Sequence, residues 1–168
     1  ITFLHEPKEI YILASSSEFI RPIVSRWKTD GYDVHLSQQE FDPHLAEKAK
    51  IIWCDWANRD ADKVSQFHCE ARKILRLHAY EAFSEHVKYI DFNSFEIVIF
   101  VGRHIKEYLE NRIGLIPNAV VIPNGVNLEQ FKIAERKEEN NKIAWAGYIS
   151  NKKGVQLLLF VAEHLPDY

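Results

Sequence analysis

The residues best suited to chemistry in this chain come directly after its apolar, strand-like runs. His78 follows the run 73–77, and Glu81 stands three residues further on. An imidazole in that position can donate a hydrogen bond to a phosphate or to a sugar hydroxyl. A half-buried or capping histidine is the structural alternative, and a glutamate there is typical of the first turn of a helix. Both interpretations stay open for each residue.

Two further loops carry polar or aromatic residues at the same kind of position. Asp55 and Trp56 follow the third apolar run, and Ser16 lies in the serine loop after the first. Because function concentrates on loops, Asp55 and Trp56 are candidates for an aromatic and acidic wall against a sugar. Trp53, inside the third run, is expected to belong to the core.

The segment 147–154, Gly-Tyr-Ile-Ser-Asn-Lys-Lys-Gly, is the third candidate. Gly147 ends a strand-like run, so backbone there can approach a ligand closely. Lys152 and Lys153 stand beside the start of a helical pattern, where ammonium groups and free helix N–H groups suit a diphosphate. A solvated lysine pair in a surface loop is the alternative.

Strands and helices that alternate along the chain would position these residues. The strand-like runs are too apolar to face water, which predicts an α/β fold with a Rossmann-like parallel sheet and helices on both faces. Ligands bind at the carboxyl ends of the strands in such sheets, where the candidate residues lie. The predicted strands are 9–14, 32–36, 51–53, 73–77, 97–101 and 120–122, and the predicted helices are 19–27, 43–50, 61–67, 83–90 and 105–113.

The segment 120–131 is predicted to join two α/β units. Its strand stops at Pro123, which cannot donate to a ladder, and Asn124-Gly125 favours the left-handed backbone of a tight turn. We therefore predict a domain at 1–125, a linker at 126–141, and the strand 142–146 and helix 155–165 of a second domain at 142–168. One strand and one helix cannot bury each other. This last unit is expected to dock on the first sheet, to dimerise or otherwise pair with another chain, or to stay partly exposed.

Composition and motifs exclude several classes of function. The net charge of −3 argues against nucleic-acid binding by bulk electrostatics. No apolar run reaches the ~20 residues of a membrane span. The helical patterns carry no basic amphipathic stripe, so membrane association is unsupported but stays open. The two cysteines indicate free thiols in a reducing compartment, and the cytoplasm is predicted. The chain contains no metal-ligand spacing, no dinucleotide or phosphate-loop glycine motif and no nucleophile elbow.

Four stretches, taken together, resemble the retaining glycosyltransferases of family 4, which have the two-domain GT-B architecture. They occur in that family's order and spacing across the second half of the chain, whereas the first fifty residues match only in pattern. The stretches are ILRLHAYE (74–81), IVIFVGRHIKEYL (97–109), VVIPNGVNLEQF (120–131) and IAWAGYISNKKGVQLLL (143–159).

The resemblance implies transfer of a sugar from a nucleotide-sugar to an acceptor with retention of configuration and without a metal or other cofactor. It places His78 in the cleft as the catalytic residue, with the acceptor on the N-terminal domain and the donor on the C-terminal one. The acceptor class, whether glycan, lipid-linked or protein, stays open. The resemblance assigns Lys153 to the donor diphosphate. Together with the candidates that follow the strand-like runs, the predicted donor-binding residues are Gly147, Lys152, Lys153 and Asn124, and the predicted acceptor-binding residues are Ser16, Asp55, Trp56 and Glu81.

The sequence departs from the family's pattern in ways that affect activity. Serines 15–17 replace paired glycines, and Tyr148 replaces an arginine that pairs with Lys153. The family's glutamate pair, seven residues apart, would lie beyond Tyr168. With no methionine in the chain, we expect a piece of a longer enzyme that is inactive alone. A non-catalytic interaction domain and a nucleotide- or phosphate-binding domain are the alternatives.

Overall fold

The computed structural model describes residues 8–38, 40–129, 131 and 145–164. The chain divides into two compact units, residues 1–125 and residues 126–168. We call them the sheet unit and the C-terminal unit. No helix in the described part of the chain has the length and apolar content that crossing a bilayer requires.

The sheet unit is built on a six-stranded sheet in which every neighbouring pair of strands is parallel. The strand order is β2-β1-β3-β4-β5-β6, so the order reverses beside β1. This architecture confirms the predicted Rossmann-like α/β fold. The strands are β1 (Glu9–Leu13), β2 (Asp33–Ser37), β3 (Ile51–Cys54), β4 (Arg72–Leu77), β5 (Ile97–Phe100) and β6 (Ala119–Val121).

Helices follow the strands, and two of them begin at side-chain caps. The Asp42 carboxylate accepts from the backbone of His44 at 2.9 Å, and Asn58 caps the next helix in the same way. The stretch 83–90 was predicted to be helical, but the structure has a short helix before it and a 3₁₀ turn, His86–Lys88, inside it. The helices are α1 (Arg21–Thr29), α2 (Pro43–Lys48), α3 (Arg59–Gln66), α4 (Ala79–Ala82), α5 (Arg103–Ile113) and α6 (Val155–His164).

Two hydrophobic clusters cover the two faces of the sheet. Along β1, Tyr11 and Leu13 pack into one cluster with residues of α2, α3 and α5, whereas Ile10 and Ile12 pack into the other with Val24 of α1. Trp53 belongs to the second cluster, as predicted. Both cysteines are free, also as predicted. Because successive side chains of β1 point to opposite faces and both faces are covered, the strand reads as a continuous apolar run.

Two local predictions around the junction of the units need comment. The predicted tight turn at Asn124-Gly125 is wrong, because neither residue has a positive φ and residues 122–127 are irregular. A reversal is not needed there, since the chain leaves the sheet after β6 rather than turning back to pair with it. Of the predicted strand 142–146, residues 142–144 lie outside the described residues, and Trp145 and Ala146 are not in a strand.

Candidate functional site at the carboxyl edge of the sheet

Three neighbouring strands bring the candidate residues of the sheet unit to one edge. Leu13 at the end of β1 is in register with Cys54 of β3, and Cys54 is in register with Leu75 of β4. The loops that follow these strands therefore emerge side by side. Asn58 Nδ2 donates to Ser15 Oγ at 3.2 Å, which ties the loop after β1 to the loop after β3. We call this region the carboxyl-edge site.

His78 lies in this site among aromatic rings. Its imidazole stacks on Trp56, with ring centroids 4.6 Å apart and planes 19° apart. The ring centroid of Phe19 lies 5.8 Å from that of His78 and 6.3 Å from that of Trp56, and the Phe19 side chain is half exposed. Sequence patterning placed His78 and Trp56 at the same edge but did not pair them. It missed Phe19, which the predicted helix 19–27 included and which precedes the observed α1.

His78 is buried and its ring nitrogen Nε2 has no hydrogen-bond partner among the described residues. Burial and, to a smaller extent, the nearby charge of Arg76 lower the pKa of His78 to about 4, against an opposing hydrogen bond with the backbone of Asp55. The imidazole is therefore neutral near pH 7, and one of its nitrogens is buried without a partner in the described part of the chain.

Glu81, on the helix α4 that begins after His78, is the second buried titratable group of the site. It is 4% exposed, and neither carboxylate oxygen has a hydrogen-bond partner of good geometry among the described residues. Burial raises the pKa of Glu81 to about 7, although nearby main-chain groups of residues 81, 78 and 57 favour the ionised form. A carboxyl group with this pKa can both donate and accept a proton near neutral pH.

Asp55 does not lie in the loop wall where it was predicted. It is fully buried, and its Oδ1 lies 2.6 Å from Nε of the buried Arg76 and accepts from Trp53 Nε1 at 3.2 Å. Burial raises the pKa of Asp55, and Arg76 opposes that shift. The pairing with Arg76 explains the correction, because a buried guanidinium requires a counter-charge. Asp55 thus supports the site from beneath rather than facing a ligand directly.

The remaining predicted residues are divided between the sheet and the C-terminal unit. Ser16 is half-buried, and its hydroxyl lies 3.4 Å from the backbone nitrogen of Glu18. Asn124 is exposed and follows β6, two strands away from β4. The structure thus brings together Ser16, Asp55, Trp56, His78 and Glu81 and leaves Asn124 apart from them.

The predicted donor-binding residues Gly147, Lys152 and Lys153 belong to the C-terminal unit. Within it, the 3₁₀ turn Asn151–Lys153 leads through Gly154, at φ +74°, into α6. Lys153 is exposed, and its carbonyl accepts from Trp145 Nε1 at 3.2 Å. The segment is thus a loop that opens a helix, as its pattern predicted.

The fold and the site define this chain as a parallel, Rossmann-like α/β protein with a buried histidine and a buried glutamate at the carboxyl edge of its sheet. No group of three or more metal-ligating side chains occurs among the residues that the structure describes. No known family model matches the chain, and no curated protein does.

Proposed function

We propose that the sheet unit is the acceptor-side domain of a retaining glycosyltransferase of GT-B type. The observation that supports this proposal is a set of buried polar atoms at the carboxyl-edge site for which the described residues provide no hydrogen-bond partner of good geometry. They are Nε2 of His78, Nε1 of Trp56 and the carboxylate oxygens of Glu81. Buried polar atoms are normally hydrogen-bonded, so this concentration of free donors and acceptors is what a ligand rich in hydroxyls would satisfy.

The chemistry of the site suits a sugar acceptor. The neutral imidazole of His78 and the carboxyl group of Glu81 would exchange hydrogen bonds with acceptor hydroxyls. The rings of Trp56 and Phe19 would pack against the apolar face of a sugar ring. His78 would hold the reacting hydroxyl in line with the anomeric carbon, and positioning of this kind contributes a large part of catalysis.

The donor side of the proposal rests on the resemblance of 143–159 to family 4. Lys153 and the start of α6 would stabilise the departing diphosphate electrostatically, so that no metal is needed. The leaving diphosphate would accept the proton of the acceptor hydroxyl as the new glycosidic bond forms. Because the family's glutamate pair has no counterpart in these 168 residues, transfer is proposed only for a polypeptide that includes such a pair.

Binding of saccharides to the chain tests the acceptor site. When a panel of mono- and disaccharides is titrated into the chain and followed in aromatic ¹H–¹³C correlation spectra, we expect at least one to bind and to shift the ring signals of His78 and Trp56. His78→Ala should weaken saccharide binding and thereby abolish the shift of the Trp56 ring signals, and the exposed His86→Ala should not. The interaction-domain alternative predicts binding of no saccharide. The phosphate-binding alternative predicts that phosphate binds instead and that Lys152→Ala with Lys153→Ala abolishes its binding.

Turnover tests the catalytic role separately. In a polypeptide that supplies the glutamate pair, His78→Ala should lower kcat by about 10²-fold, since loss of correct positioning of a reacting group costs on that scale. Far-UV circular dichroism should show an intact fold. Unchanged turnover would remove His78 from the mechanism.

A further inference from the structure

A pocket of about 750 Å³ lies at the opposite, amino edge of the sheet. It sits where the connection from α3 enters β4 and where the 3₁₀ turn Phe92–Ser94 precedes β5. Its volume falls within the range of small-molecule sites. The lining residues include Phe67, Ala71 and Cys69, as well as Lys73, Glu70 and Asp91.

Lys73 is the unusual member of this lining. It is only 8% exposed, and its ammonium group donates to the carbonyl of Phe67. An ammonium group has three N–H donors, so one carbonyl leaves it incompletely satisfied. None of the ion pairs formed among the described residues includes Lys73. Buried charges are normally paired, and this one lines a pocket instead.

The walls of the pocket are held together by hydrogen bonds. The backbone N–H of Asp91 donates to Ser65 Oγ at 3.2 Å, which links the end of α3 to the segment before β5. Ser65 Oγ in turn donates to the carbonyl of Asp62, and Ser94 Oγ donates to the carbonyl of Asp91. The end of α3 and the segment before β5 are therefore already held in place on two sides of the pocket. This lowers the conformational entropy that is lost when they close around a ligand.

We propose that this amino-edge pocket binds a small molecule through a single anionic group, a carboxylate or a phosphate, held by Lys73. The side chains of Phe67 and Ala71 would contact an apolar part of the ligand. Glu70 and Asp91 are exposed acids on the same lining, and they would repel additional negative charge. The pocket is separate from the carboxyl-edge site, so this proposal does not depend on sugar transfer.

Three probes of similar shape test the proposal on the unaltered chain: benzoate, phenyl phosphate and the neutral benzamide. In ¹H–¹⁵N correlation spectra at constant ionic strength, at least one anion should cause saturable shifts confined to residues 65–73 and 91–94. Benzamide should bind at least about tenfold more weakly, because a hydrogen bond to a charged group contributes more than 1.4 kcal/mol. Whichever anion binds identifies the carboxylate or the phosphate as the preferred group.

Variants then assign the binding to Lys73. Lys73→Met should weaken the anion at least about tenfold, and Lys73→Arg, which keeps the charge, should weaken it less. Lys63→Met is the matched control, because Lys63 lies on α3 but does not line the pocket. Equal binding of benzamide and the anions, undiminished binding by Lys73→Met, or no saturable shift with either anion would overturn the proposal. The comparison of benzoate with benzamide needs no variant, so it decides the question even if Lys73→Met does not fold.

Discussion

At the carboxyl-edge site, two buried titratable side chains lie one helical turn apart and respond to burial in opposite directions. Burial disfavours the charged form of each, which lowers the pKa of His78 to about 4 and raises the pKa of Glu81 to about 7. Their ordinary values are 6.5 and 4.5. The folded protein therefore holds a neutral imidazole beside a carboxyl group that is partly protonated near neutral pH.

The two shifts predict opposite contributions to the pH dependence of stability. The folded state binds fewer protons at His78 than the unfolded state between pH about 4 and 6.5, so this residue makes the free energy of unfolding rise with pH. Glu81 binds more protons when folded between pH 4.5 and about 7, so its contribution falls with pH. Where the two ranges overlap, the contributions offset each other in the unaltered protein.

Replacing one of the two residues should reveal the pH dependence of the free energy of unfolding that the other residue contributes. In Glu81→Gln the free energy of unfolding should rise by about 1 to 3 kcal/mol from pH about 4 to 6.5, and in His78→Gln it should fall by a similar amount from pH 4.5 to about 7. Urea unfolding across this range measures both. The exposed Glu107→Gln and His86→Gln serve as controls and should follow the unaltered protein. Slopes of the same sign in the two variants would contradict the assignment.

The buried pair beneath His78 should be far more costly to break than a surface pair. Asp55→Asn would leave the Arg76 guanidinium buried without a counter-charge, and we expect a loss of about 3 to 5 kcal/mol in the free energy of unfolding. The exposed Arg72–Glu96 pair is the control, because Glu96→Gln breaks a solvent-screened pair and should cost far less than Asp55→Asn.

Adding Arg76→Met to Asp55→Asn should recover part of the loss, because both buried charges are then gone. Urea unfolding of the single and double variants measures the recovery. A double variant no more stable than Asp55→Asn would show that the loss has a cause other than the unpaired guanidinium.

At the scale of the elements, the end of α5 depends on a backbone conformation that favours glycine. Gly114 follows the last residue of α5 with φ +98°, and its N–H donates to the carbonyl of Glu110 at 2.9 Å. Gly114→Ala should lower the free energy of unfolding by about 1 to 2 kcal/mol, since an L-residue is strained at positive φ. Gly125→Ala is the control, because Gly125 has no positive φ and an added Cβ would meet nothing within 4 Å at either glycine. If Gly114→Ala and Gly125→Ala lowered the free energy of unfolding equally in urea, the loss at residue 114 would not come from its positive φ.

The four inner strands, β1, β3, β4 and β5, were predictable from the sequence because most of their residues are buried, on both faces of the sheet. Runs such as Ile97–Phe100 contain no residue that could face water, so their length and flanking residues identify them as strands. The stretch 83–90 was less predictable, since its buried residues, Val87 and Ile90, lie among exposed ones and suit several short turns equally. The turn expected at Asn124-Gly125 failed because local preference does not decide whether the chain returns to the sheet.

Parallel topology made half of the carboxyl-edge site predictable. Residues that directly follow strands must lie at one edge, which placed His78, Glu81 and Trp56 together without any contact being known. Side-chain direction was not available from the pattern. The sequence therefore did not show that Asp55 turns inward to Arg76, nor that Phe19 reaches His78. The amino-edge pocket was also invisible, because its lining comes from connections that carry no motif.

At the scale of the whole molecule, the two units differ in how much apolar surface they bury. Both hydrophobic clusters, and all the strands of the described chain, belong to the sheet unit. In the C-terminal unit, α6 has no buried residue, and Leu157, Leu159 and Phe160 are exposed. A segment of this length rarely folds without partners for its apolar side chains.

We therefore expect residues 1–125 alone to unfold in urea in one cooperative transition and residues 126–168 alone to show none. The 1–125 fragment keeps Trp27, Trp53 and Trp56, so near-ultraviolet circular dichroism reports directly on its packing.

The 1–125 fragment also keeps the whole carboxyl-edge site, because His78, Trp56, Phe19 and the Asp55–Arg76 pair all lie within it. Any saccharide that binds the 168-residue chain should thus bind residues 1–125 and shift the same His78 signals. A broad transition for 1–125 would mean that the clusters do not suffice to fold the sheet, and loss of saccharide binding from a folded 1–125 would mean that the acceptor site extends beyond it.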